Sequence, residues 1–208
     1  MKKNTYIWLI IHIAYSMKKQ LLSLFFIISC LTLNAQNKFK LSDIPSLTNY
    51  GIDYTLAKAY GGKETGYQYW IMYEEINELF IEKPKTFSIE KRLGIPVDVV
   101  SLQAVNQANK KINPDWIKTT ETNYMPTEAQ IAEAVKQLPI LSQEEKYGIV
   151  ILCLFMNKEE DIDTYQFVVF NTKSRDIIEQ WTQTGKALGL GLKHYWAYSV
   201  YQALKKMK

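Results

Sequence analysis

The chain has 208 residues, of which 47% are hydrophobic and 22% charged, with 25 basic and 21 acidic side chains and a formal net charge of +4. That apolar share excludes a disordered or low-complexity protein, and the length suits one domain with a core of its own. The positive balance excludes less than it suggests, because it is confined to the first segment.

Residues 1–35 read as an export signal. Met17-Lys18-Lys19-Gln20 is a short basic start, Leu21 to Leu33 is an almost unbroken apolar run, and Ala35 precedes the polar Gln36-Asn37. That order describes a secretory signal peptide cut between Ala35 and Gln36. Two alternatives stay open: Ile27-Ile28-Ser29-Cys30 fits a lipobox whose Cys30 would carry a lipid, and the segment could remain as an uncleaved anchor. Residues 1–16 hold another apolar run, Tyr6 to Tyr15, too short for a bilayer span of about 20 residues. Because Met17 opens a complete signal, residues 1–16 are expected to be an upstream mis-start.

Processing after Ala35 would leave residues 36–208 as a single domain. Lys2, Lys3, Lys18 and Lys19 go with the signal and no acid does, so the 21 remaining basic residues balance the 21 acidic ones. A neutral chain offers no electrostatic footprint for nucleic acid or an anionic membrane surface. No membrane span is expected in the processed chain. Cys153, within GIVILCLFM, is its one cysteine, so no internal disulfide is expected and the thiol reads as buried core.

In chain order, Tyr50 to Tyr60 predicts a first strand, ended by Gly61-Gly62. Gln68 to Glu82 carries a helical stripe at Met72, Ile76, Leu79 and Phe80, stopped by Pro84. A short helix over 87–93 and an extended VDVV after Pro96 follow. Leu102, Val105, Asn106 and Asn109 fit one helix face, although asparagine weakens that reading. Trp116 to Thr120 predicts a strand. Thr127 and Gln130 form a capping box opening a helix whose face is Ile131, Ala134, Val135 and Leu138.

The last third carries the clearest pattern. Tyr147 to Met156 is a continuous apolar run, as in a central strand covered on both faces. Two more strands, Tyr165 to Phe170 and Ile177 to Thr184, are joined by the turn-forming NTKSRD. Leu192, Tyr195, Trp196, Ser199, Val200, Ala203 and Leu204 then share one side of a closing helix. The expected fold class is α+β: a single-domain sandwich on a mixed or antiparallel sheet, ending in a three-strand meander and an amphipathic helix.

GKALGLGLKHYW, residues 185–196, is the stretch that invites a phosphate-binding reading. A P-loop needs its lysine after the last glycine and a hydroxyl beside it, whereas Lys186 follows Gly185 and Ala187 comes next. A dinucleotide fingerprint needs a third glycine where His194 stands, and a further strand beyond it. The glycines Gly185, Gly189 and Gly191 instead suit a joint that takes positive φ and lets a helix pack closely. His194 has no second histidine or cysteine pattern for zinc and no nucleophile context. The run Glu159-Glu160-Asp161-Ile162-Asp163 reads as a solvated hairpin tip rather than a Ca²⁺ loop, and Gly61 to Gly66 as a mobile turn. Tyr67, Tyr69, Trp70 and Tyr73 crowd one helix start, where core packing competes with an exposed aromatic patch.

GIDYTLAKAYG at 51–61 and FVVFNTKSRDIIEQWTQTGKALGLGLKHYWAYSVYQALK at 167–205 together resemble a family of small exported proteins of unknown function from Bacteroidota. Gly185, Lys186, Ala187, Gly189, Gly191, Tyr195, Trp196 and Ala197 match that family's late pattern, while Leu188 and His194 depart from it. The closing hairpin and helix also resemble, as fold analogy alone, envelope lipoproteins such as the curli-secretion lipoprotein and the activators of penicillin-binding proteins. The resemblance implies an exported envelope protein and no particular chemistry. With no coherent catalytic, cofactor or metal set, the expected function is a non-enzymatic binding or assembly module. Its partner would be an unidentified envelope protein or a second copy, with Gly185, Lys186, Gly189, Gly191, His194, Tyr195 and Trp196 as the candidate interaction loop. The alternatives are a small-ligand or nucleotide-related enzyme using that loop, and a lipidated subunit of an envelope complex.

Overall fold

A computed structural model describes residues 40–141, 144 and 146–207; the segment holding Cys30, Ala35 and Gln36 lies outside them. The described residues fall within one compact unit. The longest strand, β5 (Tyr147–Asn157), is its axis. Antiparallel to β5 runs β6 (Ile162–Asn171), and antiparallel to that β7 (Ile177–Lys186), which completes the expected meander.

The other side of β5 is shared by two short strands placed end to end. β1 (Leu47–Asp53) pairs in parallel with Gly148–Leu152, and β2 (Lys58–Tyr60) pairs in parallel with Phe155–Asn157. Outside them lie β3 (Val97–Val100) against β1 and β4 (Lys118–Thr119) against β2, both parallel. The sheet is therefore mixed, with seven strands, and the fold is an α+β sandwich. The stretch expected as one strand from Tyr50 to Tyr60 is broken at residues 54–57, because Asp53 folds its carboxylate back onto the Thr55 N–H at 2.7 Å and turns the chain out of the sheet.

Among the described residues six helices cover the two faces. α1 (Gly66–Asn77), continued by the short α2 (Leu79–Glu82), and the closing α6 (Leu192–Lys205) pack with Ile149, Ile151, Cys153, Tyr165 and Phe167. The short α3 (Glu90–Leu93) ends in Gly94 at φ 70° and leads into β3. α4 (Gln103–Asn109) and α5 (Glu128–Gln137) pack with Val150, Leu152, Leu154, Val168 and Phe170 on the opposite face. Alternation along β5 therefore feeds two cores, which is why its sequence is apolar at nearly every position. Each such fully buried aliphatic or aromatic side chain contributes ~1.5–3 kcal/mol of transfer free energy.

The expected capping box at Thr127–Gln130 is present, and an equivalent one, Thr65–Gln68, opens α1 two residues ahead of the predicted start. The helix predicted over 68–82 is two helices, α1 and α2, meeting at Glu78. The strand predicted over 116–120 is reduced to two residues, because Pro114 and the Asn113 cap wind residues 114–116 into a 3₁₀ turn.

β3 ends level with Asn49, so beyond it the outer edge of β1 has no strand beside it. Two buried carboxamides fill the gap. Asn77 of α1 accepts from Ile52 N at 2.7 Å and donates to Ile52 O at 2.9 Å. Asn109 of α4 accepts from Tyr54 N at 2.8 Å and donates to the same Ile52 carbonyl at 3.0 Å. Asn109, one of the asparagines that weakened the helix reading over 101–111, thus joins Asn77 in satisfying a strand edge that would otherwise be orphaned.

Candidate functional site

The break between β1 and β2 opens a cleft of ≈ 320 Å³ on the face covered by α4 and α5. Its floor is Asp53, the last residue of β1 and only 1% exposed. Its walls are Ala108 at the end of α4, Ala134 and Leu138 at the end of α5, and Ile112 and Ile117 from the connection into β4. Lys58 and Lys111 border it with the carboxamides of Asn113 and Gln137. Trp116 stands at the rim, 70% exposed.

Local chemistry fixes each of these groups. Burial pushes the Asp53 carboxyl above the usual carboxylate range, and hydrogen bonds from Thr55 pull it partly back. The Lys58 ammonium donates to the Trp116 carbonyl, which ties the start of β2 to the 3₁₀ turn. Ala59 N donates to Ile117 O at 2.8 Å and closes the same junction. Asn113 accepts from Asp115 N at 3.0 Å and Gln137 donates to Glu133 at 2.8 Å; among the described residues the Asn113 amide nitrogen and the Gln137 carbonyl oxygen have no further partner. The cleft thus combines an apolar wall, a buried carboxyl and interleaved donors and acceptors, the composition of a small-molecule site. Its lining holds no histidine, cysteine or serine.

The residues singled out from the glycine loop lie elsewhere, around the junction of β7 with α6. Gly185 is buried where the backbone of Ser199 passes, and a Cβ there would fall inside the van der Waals envelope of the Ser199 carbonyl. Gly189 and Gly191 have φ of 138° and 78°, and Gly191 is the N-cap of α6. Lys186 and His194 are both exposed. His194 borders a shallow groove with Gln68, Ile71 and Glu75 that Lys186 does not line. Trp196 is core and fully buried. Tyr195 donates its hydroxyl to Asp161, and its ring lies 3.1 Å beneath the Lys158 ammonium. Leu188 and Leu190, by contrast, are 63% and 91% exposed.

The acidic run is not wholly a solvated tip. Glu159 and Glu160 are exposed and Asp161 turns at φ 55°, but Asp163 is 0% exposed. β6 begins at Ile162, and its alternation points Asp163 and Tyr165 inward, toward α6. Tyr165 donates to Asp163 Oδ2 at 2.7 Å, Ser199 donates to the same oxygen, and Oδ1 has no partner. Burial drives this carboxyl well above its ordinary range, against the lowering effects of Ser199, Tyr165 and Lys158. Cys153 is also fully buried, and desolvation pushes its thiol up. Of the four aromatics at the start of α1, Tyr69 and Tyr73 are core and Tyr67 is 58% exposed.

Gly61 and Gly62, in the stretch expected to be a mobile turn, take φ of 71° and 69°, and the Lys118 ammonium donates to the Gly61 carbonyl, which ties the turn to β4. Among the described residues no group of three or more His, Cys, Asp or Glu side chains is placed to hold a metal ion, and no helix is long and apolar enough to cross a membrane.

No family model matches the chain, and no curated protein matches it. Among solved structures, the C-terminal domain of LpoB from Salmonella enterica aligns over 66% of this chain and 83% of its own length, with 11% identity and a TM-score of 0.27. A likeness of that size carries no functional inference.

Proposed function

We propose that the chain is an exported, non-enzymatic binding module of the cell envelope that takes a ligand in the cleft beside Asp53. The cleft is the observation that carries this reading: a concave site of ≈ 320 Å³ with one carboxyl on its floor and no histidine, cysteine or serine in its lining. Export rests on the basic start at Met17, the apolar run to Leu33 and the small residue at Ala35. Mass spectrometry of the protein recovered after export separates a chain starting at Gln36 from one diacylated at Cys30. The binding site is tested by a fragment screen read in amide chemical shifts. Hits should move residues 53–58, 108–117 and 134–139; hits confined to other surfaces, or none, overturn the assignment.

Partner binding or self-assembly attaches to a second observation, the exposure of Leu188 and Leu190 on a loop held by glycines. A photo-crosslinking residue at position 190 should give a discrete adduct in the native envelope. No adduct there, with sedimentation as a monomer, removes this second reading.

A further inference from the structure

The charge balance and the exposed indole of the Asp53 cleft narrow the kind of ligand it takes, an inference that rests on the cleft being a binding site. Two helices, α4 and α5, turn their carboxyl ends toward it. Such ends carry a fractional negative charge of about −0.5 each. Lys58 and Lys111 answer with two ammonium groups, and Lys111 has no acidic partner among the described residues. An anion would meet the carbonyl ends and Asp53, and a cation would meet the lysines. The site favours neither sign.

What it offers is hydrogen bonding of both kinds beside an aromatic plate. The lysines and the Asn113 amide donate; the Gln137 oxygen accepts; Asp53 and the Thr55 hydroxyl do either. Trp116 stacks on no other ring among the described residues and leaves most of its indole in water. An exposed tryptophan at the mouth of a polar cleft suits a ligand with one apolar flat side and polar edges. We propose that the cleft binds a neutral saccharide unit, its pyranose ring against Trp116 and its hydroxyls toward Asp53, Thr55, Asn113 and Gln137.

The test is a titration of the exported, processed protein, followed at the Trp116 indole N–H, a signal identified by its loss in Trp116→Ala. The probes are N,N′-diacetylchitobiose, cellobiose and maltose, with sorbitol as an acyclic control and naphthalene-2-carboxylate as an anionic one. At least one disaccharide should shift the indole signal saturably while sorbitol does not. Read instead from the backbone amides of residues 53–58, which every variant keeps, affinity should fall about tenfold in Trp116→Ala, the loss expected of one aromatic stack. It should change less than about threefold in Trp116→Phe, which keeps a ring; a lysine variant, Lys111→Met, removes a charge that an anionic ligand would use. If no disaccharide shifts the signal but naphthalene-2-carboxylate does, and loses affinity in the lysine variant, the saccharide assignment is overturned and the cleft stands. If no probe of either class moves residues around the cleft, both fall.

Discussion

Asp163→Asn gives the most direct test of how this fold handles charge. The carboxyl is 0% exposed, with two donors on one oxygen and none on the other. Desolvation therefore holds its proton in the folded state, well above the ordinary range. In the unfolded chain an aspartate releases its proton near pH 3.9. Between that value and the folded-state pKa the native protein binds a proton that the unfolded chain lacks, so stability falls as pH rises. The slope for one such group is about 1.4 kcal/mol per pH unit. At a urea m-value of about 2 kcal/mol/M, this lowers the unfolding midpoint by about 0.7 M per unit. Asp53 is raised by burial as well and adds in the same direction. Urea unfolding at intervals between pH 5 and 8 should show the wild-type midpoint falling, and Asp163→Asn should lose one proton's share of that slope. A flat wild-type profile, or an unchanged slope in the variant, would refute the desolvation account.

Two further substitutions test the packing. Gly185→Ala forces a methyl against the Ser199 backbone, which cannot retreat without shifting α6, so stability should fall by about 3 kcal/mol and the Tm by roughly 6–12 °C; a loss below about 1 kcal/mol would show that α6 is not held this tightly. Asn109→Ala leaves the buried Tyr54 amide without an acceptor and weakens the pairing at Ile52, costing about 2–4 kcal/mol. Hydrogen exchange should register this as loss of protection at Tyr54, and unchanged protection there would count against the carboxamides as a substitute for a strand.

How far the sequence foretold the structure depends on whether a signal was local. The apolar run at 147–156, the stripe at 192–204 and the Thr127–Gln130 box each lie within one element, and each folded as expected. The same box at Thr65–Gln68 was just as legible and marks the true start of α1. Asp163 was hidden by its neighbours: in a run of acids it looks solvated, and only the phase of β6 turns it inward. The break at 54–57 was hidden because YGIDYTLAKAY continues to look like a strand, while the turn depends on one short bond from Thr55 to Asp53. The cleft had no motif at all. It is assembled from 53–58, 108–117 and 134–139, stretches that meet only after both helices dock.

The placement of β1 and β2 beside β5 also sets an order of events. Asn49 pairs with Ile149, and Lys58 with Phe155, so the first two strands have no template until the last third of the chain arrives. The meander of β5 to β7 closes through short turns and can form by itself, whereas the parallel additions require long loops to close first and are the slow contacts. A chain threaded through a membrane from its N-terminus would thus emerge with its early strands unmatched, and would resist premature folding during transit without any dedicated device. The same topology leaves the stretches around Asp53 without their sheet neighbour until β5 is available.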